Sequence, residues 1–143
     1  MARALPPERA HFTAFRTLPT RWADNDAYGH MNNATYFSLF DTAISLWQME
    51  QGILVDGPEA ARFLVVENGC TYFTEVGFPD ILQAGLRLTH LGTTSFRIDV
   101  ALFRNGADTA AALGFFAQVH VDTSGRPTAL PEAVRAVLSG LMI

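Results

Sequence analysis

Five residues of chemically useful type stand where the stretch TRWADNDAYGHMNNATYFSLFDTA, residues 20–43, passes from its polar to its hydrophobic part. They are Asp24, Asp26, His30, Asn32 and Asn33. The types suit acyl chemistry: a carboxylate can attack a carbonyl or take a proton from water, and nearby donors can hold the oxyanion that develops. The stretch opens with strand character and closes in a hydrophobic run at helical spacing, so the polar group falls at a helix start. A helix start supplies unpaired N–H groups and a partial positive charge, which favours negative charge beside it.

The same residues also have plainer uses. Asp24 and Asp26 can serve as turn or capping residues, and Asn32 or Asn33 is a natural N-cap. His30 fits a structural hydrogen-bonding role as well as a site role. Asp24, Asp26 and His30 offer hard metal ligands, but no second cluster completes a coordination sphere. Ser95, in GTTSF, lacks a nucleophile elbow, and Cys70 has no histidine near it in sequence. His90 and His120 sit in strand patterns and read as structural.

The elements that position the seam follow from periodicity. Residues 12–22 read as an extended segment interrupted by Pro19, which suits an edge strand or a bulge. Residues 34–51 form the clearest helix, with Phe37, Phe40, Ile44 and Trp47 at helical spacing and Tyr36, Leu39 and Ala43 widening the stripe. So broad a stripe predicts burial on most sides, and Gly52 is a natural stop. Strands are expected at 62–76, 81–92, 94–104 and 109–122, joined by short turns. In the third, Phe96, Ile98, Val100 and Leu102 alternate with Arg97, Asp99 and Ala101. Asn105-Gly106 is a strong hairpin signal, and residues 131–141 can form a short terminal helix with Pro131 in its first turn. One strand, one long helix and four strands predict a single α+β domain over 1–143, an antiparallel sheet against a buried helix. Residues 1–11 read as a loose leader.

Composition narrows the classes. The 143 residues suit one domain, enough to bury roughly 70% of the unfolded surface. Hydrophobic residues make up 49% and charged residues 17%, a globular rather than a disordered balance. A net charge of −4 carries no footprint for nucleic acid. All ten cations are arginines, a type suited to bidentate phosphate contacts. A lone cysteine excludes an intramolecular disulfide and points to a reducing compartment. The N-terminus has no apolar run of signal-peptide length and no window is long enough to cross a bilayer, so a cytoplasmic protein without a membrane partner is expected.

The stretch DNDAYGHMNNATYFSLFDTA resembles the signature of the hotdog-fold acyl-CoA thioesterases, the 4-hydroxybenzoyl-CoA thioesterase-like group. The likeness extends over nearly the whole chain, through the strand order, the VHVD that closes the last strand and the GRPTALPEAV tail. It implies a hotdog fold, an antiparallel sheet wrapped around the long helix, with no cofactor. It further implies an acyl-CoA substrate cleaved to a free acid and CoA. By the same resemblance Asp26 is the catalytic carboxylate, as general base or nucleophile, and His30 matches the histidine present in one subset. Asn33 falls where a backbone N–H polarises the thioester carbonyl, and Asp41 matches a helix carboxylate of varying role. Tyr28 stands where the similar plant enzymes carry a functional Asn. Family members pair edge to edge, so a homodimer or homotetramer is expected. Arg87, Arg97, Arg104 and Arg126 are candidates for the CoA phosphates. Two other readings share the fold: a non-catalytic module binding acyl-CoA or acyl carrier protein, and an enoyl-CoA hydratase.

Overall fold

The computed structural model describes residues 4–54 and 56–143. Five strands, β1 (Ala14–Pro19), β2 (Arg62–Tyr72), β3 (Ile81–Leu91), β4 (Ser95–Arg104) and β5 (Ala112–Val121), form one sheet. Two helices accompany them, α1 (Asn33–Glu50) and α2 (Glu132–Ser139). The spatial order is β1-β3-β4-β5-β2, and every pairing is antiparallel. This is the hotdog architecture. Residues 1–3, at the head of the expected leader, lie outside the described residues.

α1 is 18 residues long, about 27 Å, and lies across the concave face. Phe40, on its second turn, is fully buried among Phe96, Ile98, Val100, Leu102 and Phe116 from the central strands. The strict alternation along β4 puts those side chains on one face and leaves Asp99, Ala101 and Phe103 on the other. α2 closes the open end of this core with Val134 and Leu138, and Leu88 N–H donates to the Leu141 carbonyl at 3.0 Å.

Three expectations change in detail. β2 and β3 are not a hairpin, because residues 73–80 carry the chain from one edge of the sheet to the far side, where β3 pairs with β1. The Asn105-Gly106 turn is present, with φ of 49° and 81°. It opens a longer β4–β5 connection, however, because residues 107–111 turn aside to meet the N-terminal segment. Ala110 N–H donates to the Pro7 carbonyl and Arg9 N–H to that of Asp108. The Arg9 guanidinium lies 4.7 Å over the Phe103 ring and hydrogen-bonds Gln83, so this part of the expected loose leader is anchored on the outer face of the sheet. α1 is buried on most sides, as its broad apolar stripe requires: between Thr35 and Gln48 the exposed positions are Ser38, Asp41 and Thr42, on one narrow flank.

Close packing makes one position intolerant. A methyl group at Gly114 of β5 would stand 2.5 Å from Cε2 of the buried Phe40 ring. Gly114→Ala is therefore expected to lower stability by about 1–3 kcal/mol. Urea midpoints check this, and an unchanged midpoint would show that the helix rides more loosely on the sheet than the packing implies.

Candidate active site

The seam is a short loop closed on itself and pinned from two sides. Asp26 N–H donates to the His30 carbonyl at 2.7 Å, and Gly29, at φ 81°, turns the chain between them. Met31 N–H donates to the Val76 carbonyl at 3.0 Å, and Asn25 Oδ1 accepts from Phe78 N–H at 3.0 Å. The loop is thus fastened to the β2–β3 crossover, the segment that the sequence pattern had joined by a simple turn.

The two aspartates have different surroundings. Asp24 is 2% exposed, and its carboxylate accepts from Arg21 N–H at 2.7 Å and from the Arg21 guanidinium at 2.8 and 3.1 Å. It closes a turn, as its plainer reading has it. Asp26 is half-buried, and its Oδ1 accepts from the N–H groups of Tyr28 at 2.8 Å and His30 at 3.3 Å. Its Oδ2 has no partner among the described residues. The same turn holds Asp122 Oδ1, which accepts from the N–H groups of Ser124 and Arg126 at 2.8 and 3.0 Å; Asp26 differs in lying at a helix start.

Asn32 is the N-cap of α1, its side chain accepting from Ala34 N–H at 2.9 Å. Asn33 is then the first helical residue, and its N–H has no acceptor among the described residues. Asp26, His30 and Asn33 line one cavity of about 350 Å³ together with Met31, Tyr36 and residues 72–75. The three candidate site residues are therefore brought together, and Asp24 stays apart with Arg21. The His30 ring does not reach Asp26: its Nε2 lies 2.9 Å from Glu75 Oε2. Any help His30 gives Asp26 runs through its backbone. Asp24, Asp26 and His30 consequently do not converge on a common point.

Glu75 is the residue that local patterning missed, because only the crossover brings it to His30. Tyr36 and Tyr72 meet edge to face at 4.9 Å beside the same cavity. Burial pushes the Tyr72 phenol up to about 12, with Cys70 adding to the effect. Cys70 is pushed up to about 11, chiefly by burial, so it is a protonated packing residue rather than a nucleophile. His120 Nδ1 faces the carbonyls of Thr128 and Ala129, a structural setting. Of the phosphate candidates, Arg87 and Arg97 are paired with Asp99 and Arg104 with Asp80.

A family model described as the thioesterase-like superfamily matches residues 20–138. The chain belongs to this superfamily. Its general chemistry is thioester hydrolysis. The PA5185 protein of Pseudomonas aeruginosa PAO1 is 41% identical, with 96% of each chain covered and a TM-score of 0.91. The PA2801 protein of the same species is 29% identical over 89% of this chain and 98% of that one, with a TM-score of 0.81. A thioesterase of Thermus thermophilus, solved with coenzyme A and Zn, is 28% identical over 92% and 95%, with a TM-score of 0.74. No curated protein matches the chain at a significant level. In this thioesterase-like chain the matched span opens at Thr20, so it takes in the whole seam. Among the described residues no helix is long and apolar enough to cross a membrane.

The crossover that backs the site depends on Asp80. Burial works to raise its carboxyl, but hydrogen bonds from Asn105, Gly77 N–H and Arg104, with the Arg104 charge, hold it below the ordinary value near 3.8. Its contribution to stability is therefore whole above that value and is lost as the pH falls through the lower folded one. Asp80→Asn should cost stability at neutral pH, with the gap from wild type closing below about pH 4. Denaturation across a pH series reads this; a gap independent of pH would mean that shape rather than charge is what Asp80 supplies.

Proposed function

We propose that the chain hydrolyses acyl-CoA thioesters to a free carboxylic acid and CoA at the seam between residues 24 and 33. The observation that carries this reading is that Asp26, with a spare oxygen, and Asn33, with an unpaired N–H among the described residues, line one cavity. The thioester carbonyl oxygen lies against the start of α1, where the Asn33 N–H and the helix field stabilise the oxyanion. The free Asp26 oxygen faces the carbonyl carbon from the other side, and two backbone N–H groups fix its direction. From there it removes a proton from water or attacks the carbon itself, and CoA leaves as the thiolate. His30, braced by Glu75, borders the cavity and orients the incoming water.

One turnover in heavy-oxygen water, with hydroxylamine added in a parallel run, separates the two routes. Attack by Asp26 forms an acyl anhydride, seen as label in the protein carboxyl when water opens its aspartyl carbonyl or as acyl hydroxamate when hydroxylamine traps it. Base catalysis gives label in the product acid alone with no trapped anhydride. Asp26→Asn is expected to lower kcat at least about a hundredfold, with thiol release from an acyl-CoA panel as the readout. Retention of the wild-type rate would remove Asp26 from the chemistry. A non-catalytic module would instead bind the panel without releasing thiol.

We further propose that the chain works as a homodimer joined through β2. Its outer edge is unpaired, and Leu64, Val65 and Val66 are 51%, 46% and 65% exposed there. An apolar, hydrogen-bonding edge of this length invites an antiparallel second copy. His120 N–H points to the Thr94 carbonyl, so Phe63 and, two residues on, Val65 turn their N–H groups to the free edge. Val65→Pro removes an edge donor and should shift the sedimentation coefficient from dimer to monomer; an unaffected dimer would place the interface elsewhere.

A further inference from the structure

A second cavity, of about 510 Å³, lies between the C-terminal half of α1 and the start of β2. Its walls are mixed, with Ile44, Ile53, Phe63 and Leu64 on the apolar side. Among its polar residues are two buried glutamines, Gln48 from α1 and Gln118 from β5, each 6% exposed. Gln48 Nε2 is sealed from solvent with no hydrogen-bond partner among the described residues. Gln118 makes no side-chain hydrogen bond there either. An unsatisfied buried amide is costly and uncommon in a folded protein. Turning the Gln48 amide about its soft terminal torsion swings the –NH₂ toward the cavity.

Two carboxamides on one cavity each offer donors and an acceptor. Their complement is a neutral group that both donates and accepts, a hydroxyl or another carboxamide. The lining also holds Asp41 and Asp122 against a single cation, Arg62, which makes it unwelcoming to a carboxylate.

The cavity is too far from the seam of its own chain to share a substrate with it. Asn33 and Gln48 are 15 residues apart on one helix, about 22 Å. β2, however, runs from one site to the other: its Arg62 end lines the Gln48 cavity and its Tyr72 end lines the Asp26 cavity. An antiparallel second copy sets the Arg62 end of one β2 beside the Tyr72 end of the other, with both copies of α1 on the same face of the joined sheet. Each Gln48 cavity then adjoins the Asp26 cavity of the neighbouring copy.

Resting on the thioesterase reading, we propose that the Gln48–Gln118 cavity receives the far end of the acyl group held at the neighbouring copy's Asp26. Gln48 and Gln118 there select acyl chains that end in a neutral hydroxyl or carboxamide. A site built to pair such a group discriminates against an analogue that leaves its own polar atoms unpaired.

The test uses CoA thioesters with ω-methyl, ω-hydroxyl, ω-carboxamide and ω-carboxylate ends, from hexanoyl to dodecanoyl length, on wild type and Gln48→Leu. Wild type should prefer a hydroxyl or carboxamide end over methyl by about tenfold in kcat/KM, with carboxylate poorest. Which of the two neutral ends leads identifies the group. In Gln48→Leu the preference over methyl should collapse toward unity. The variant should unfold no more easily than wild type, since leucine leaves no orphaned amide. Equal wild-type rates for methyl and hydroxyl ends, or a preference that survives Gln48→Leu, would overturn the proposal. Equilibrium binding of the matching non-hydrolysable thioethers reads the same ratio without turnover. If no thioester is cleaved, the hydrolysis reading fails while the binding ratio still decides the cavity.

Discussion

The packing of α1 on the concave face of the sheet is the constraint on which the rest depends. A helix with Phe40, Ile44 and Trp47 on one side has to bury that side, and a sheet whose central strands alternate apolar and polar residues offers one matching surface. The fit is close enough that β5 has no side chain where the Phe40 ring comes down. Because the ring sits there, the axis of the helix is fixed, and so is the point at which its first turn emerges. The proposed site is built around that point.

A helix start alone would be an ordinary feature. What distinguishes this one is the loop that precedes it, bent so that Asp26 is gripped through one oxygen by neighbouring backbone N–H groups. The grip is local, but its position is not. The β2–β3 crossover holds the loop through Val76 and Phe78 and brings Glu75 to His30. Asp80, tied to Arg104 and Asn105, fastens the crossover in turn to the end of β4. Orientation of one carboxylate thus draws on segments widely separated in the chain.

That division explains what the amino-acid order disclosed and what it hid. The helix, its cap at Asn32, the inward face of β4 and the chemical character of the seam are written in short-range patterns, where neighbours in sequence are neighbours in space. The family likeness supplied the hotdog architecture and the distinction drawn between Asp26 and Asp24, which type and spacing could not make. Hidden were contacts that depend on topology. β2 alternates and ends in turn residues like any hairpin arm, yet it pairs with the last strand. Arg9 looked like part of an unstructured leader because its partners, Phe103 and Gln83, belong to strands formed much later. Glu75 and the facing glutamines carry no local mark at all, since their meaning lies in what stands across a cavity.

The crossover also has a consequence in time. β2 leaves the ribosome well before β5, the strand to which it is joined, so its pairing is among the most non-local in the chain and must wait for nearly all of the sequence. Until then both of its edges are bare. Afterwards one edge is satisfied from within. A nascent chain thus carries a largely apolar strand open on both sides until β5 emerges, the interval in which mispairing is easiest.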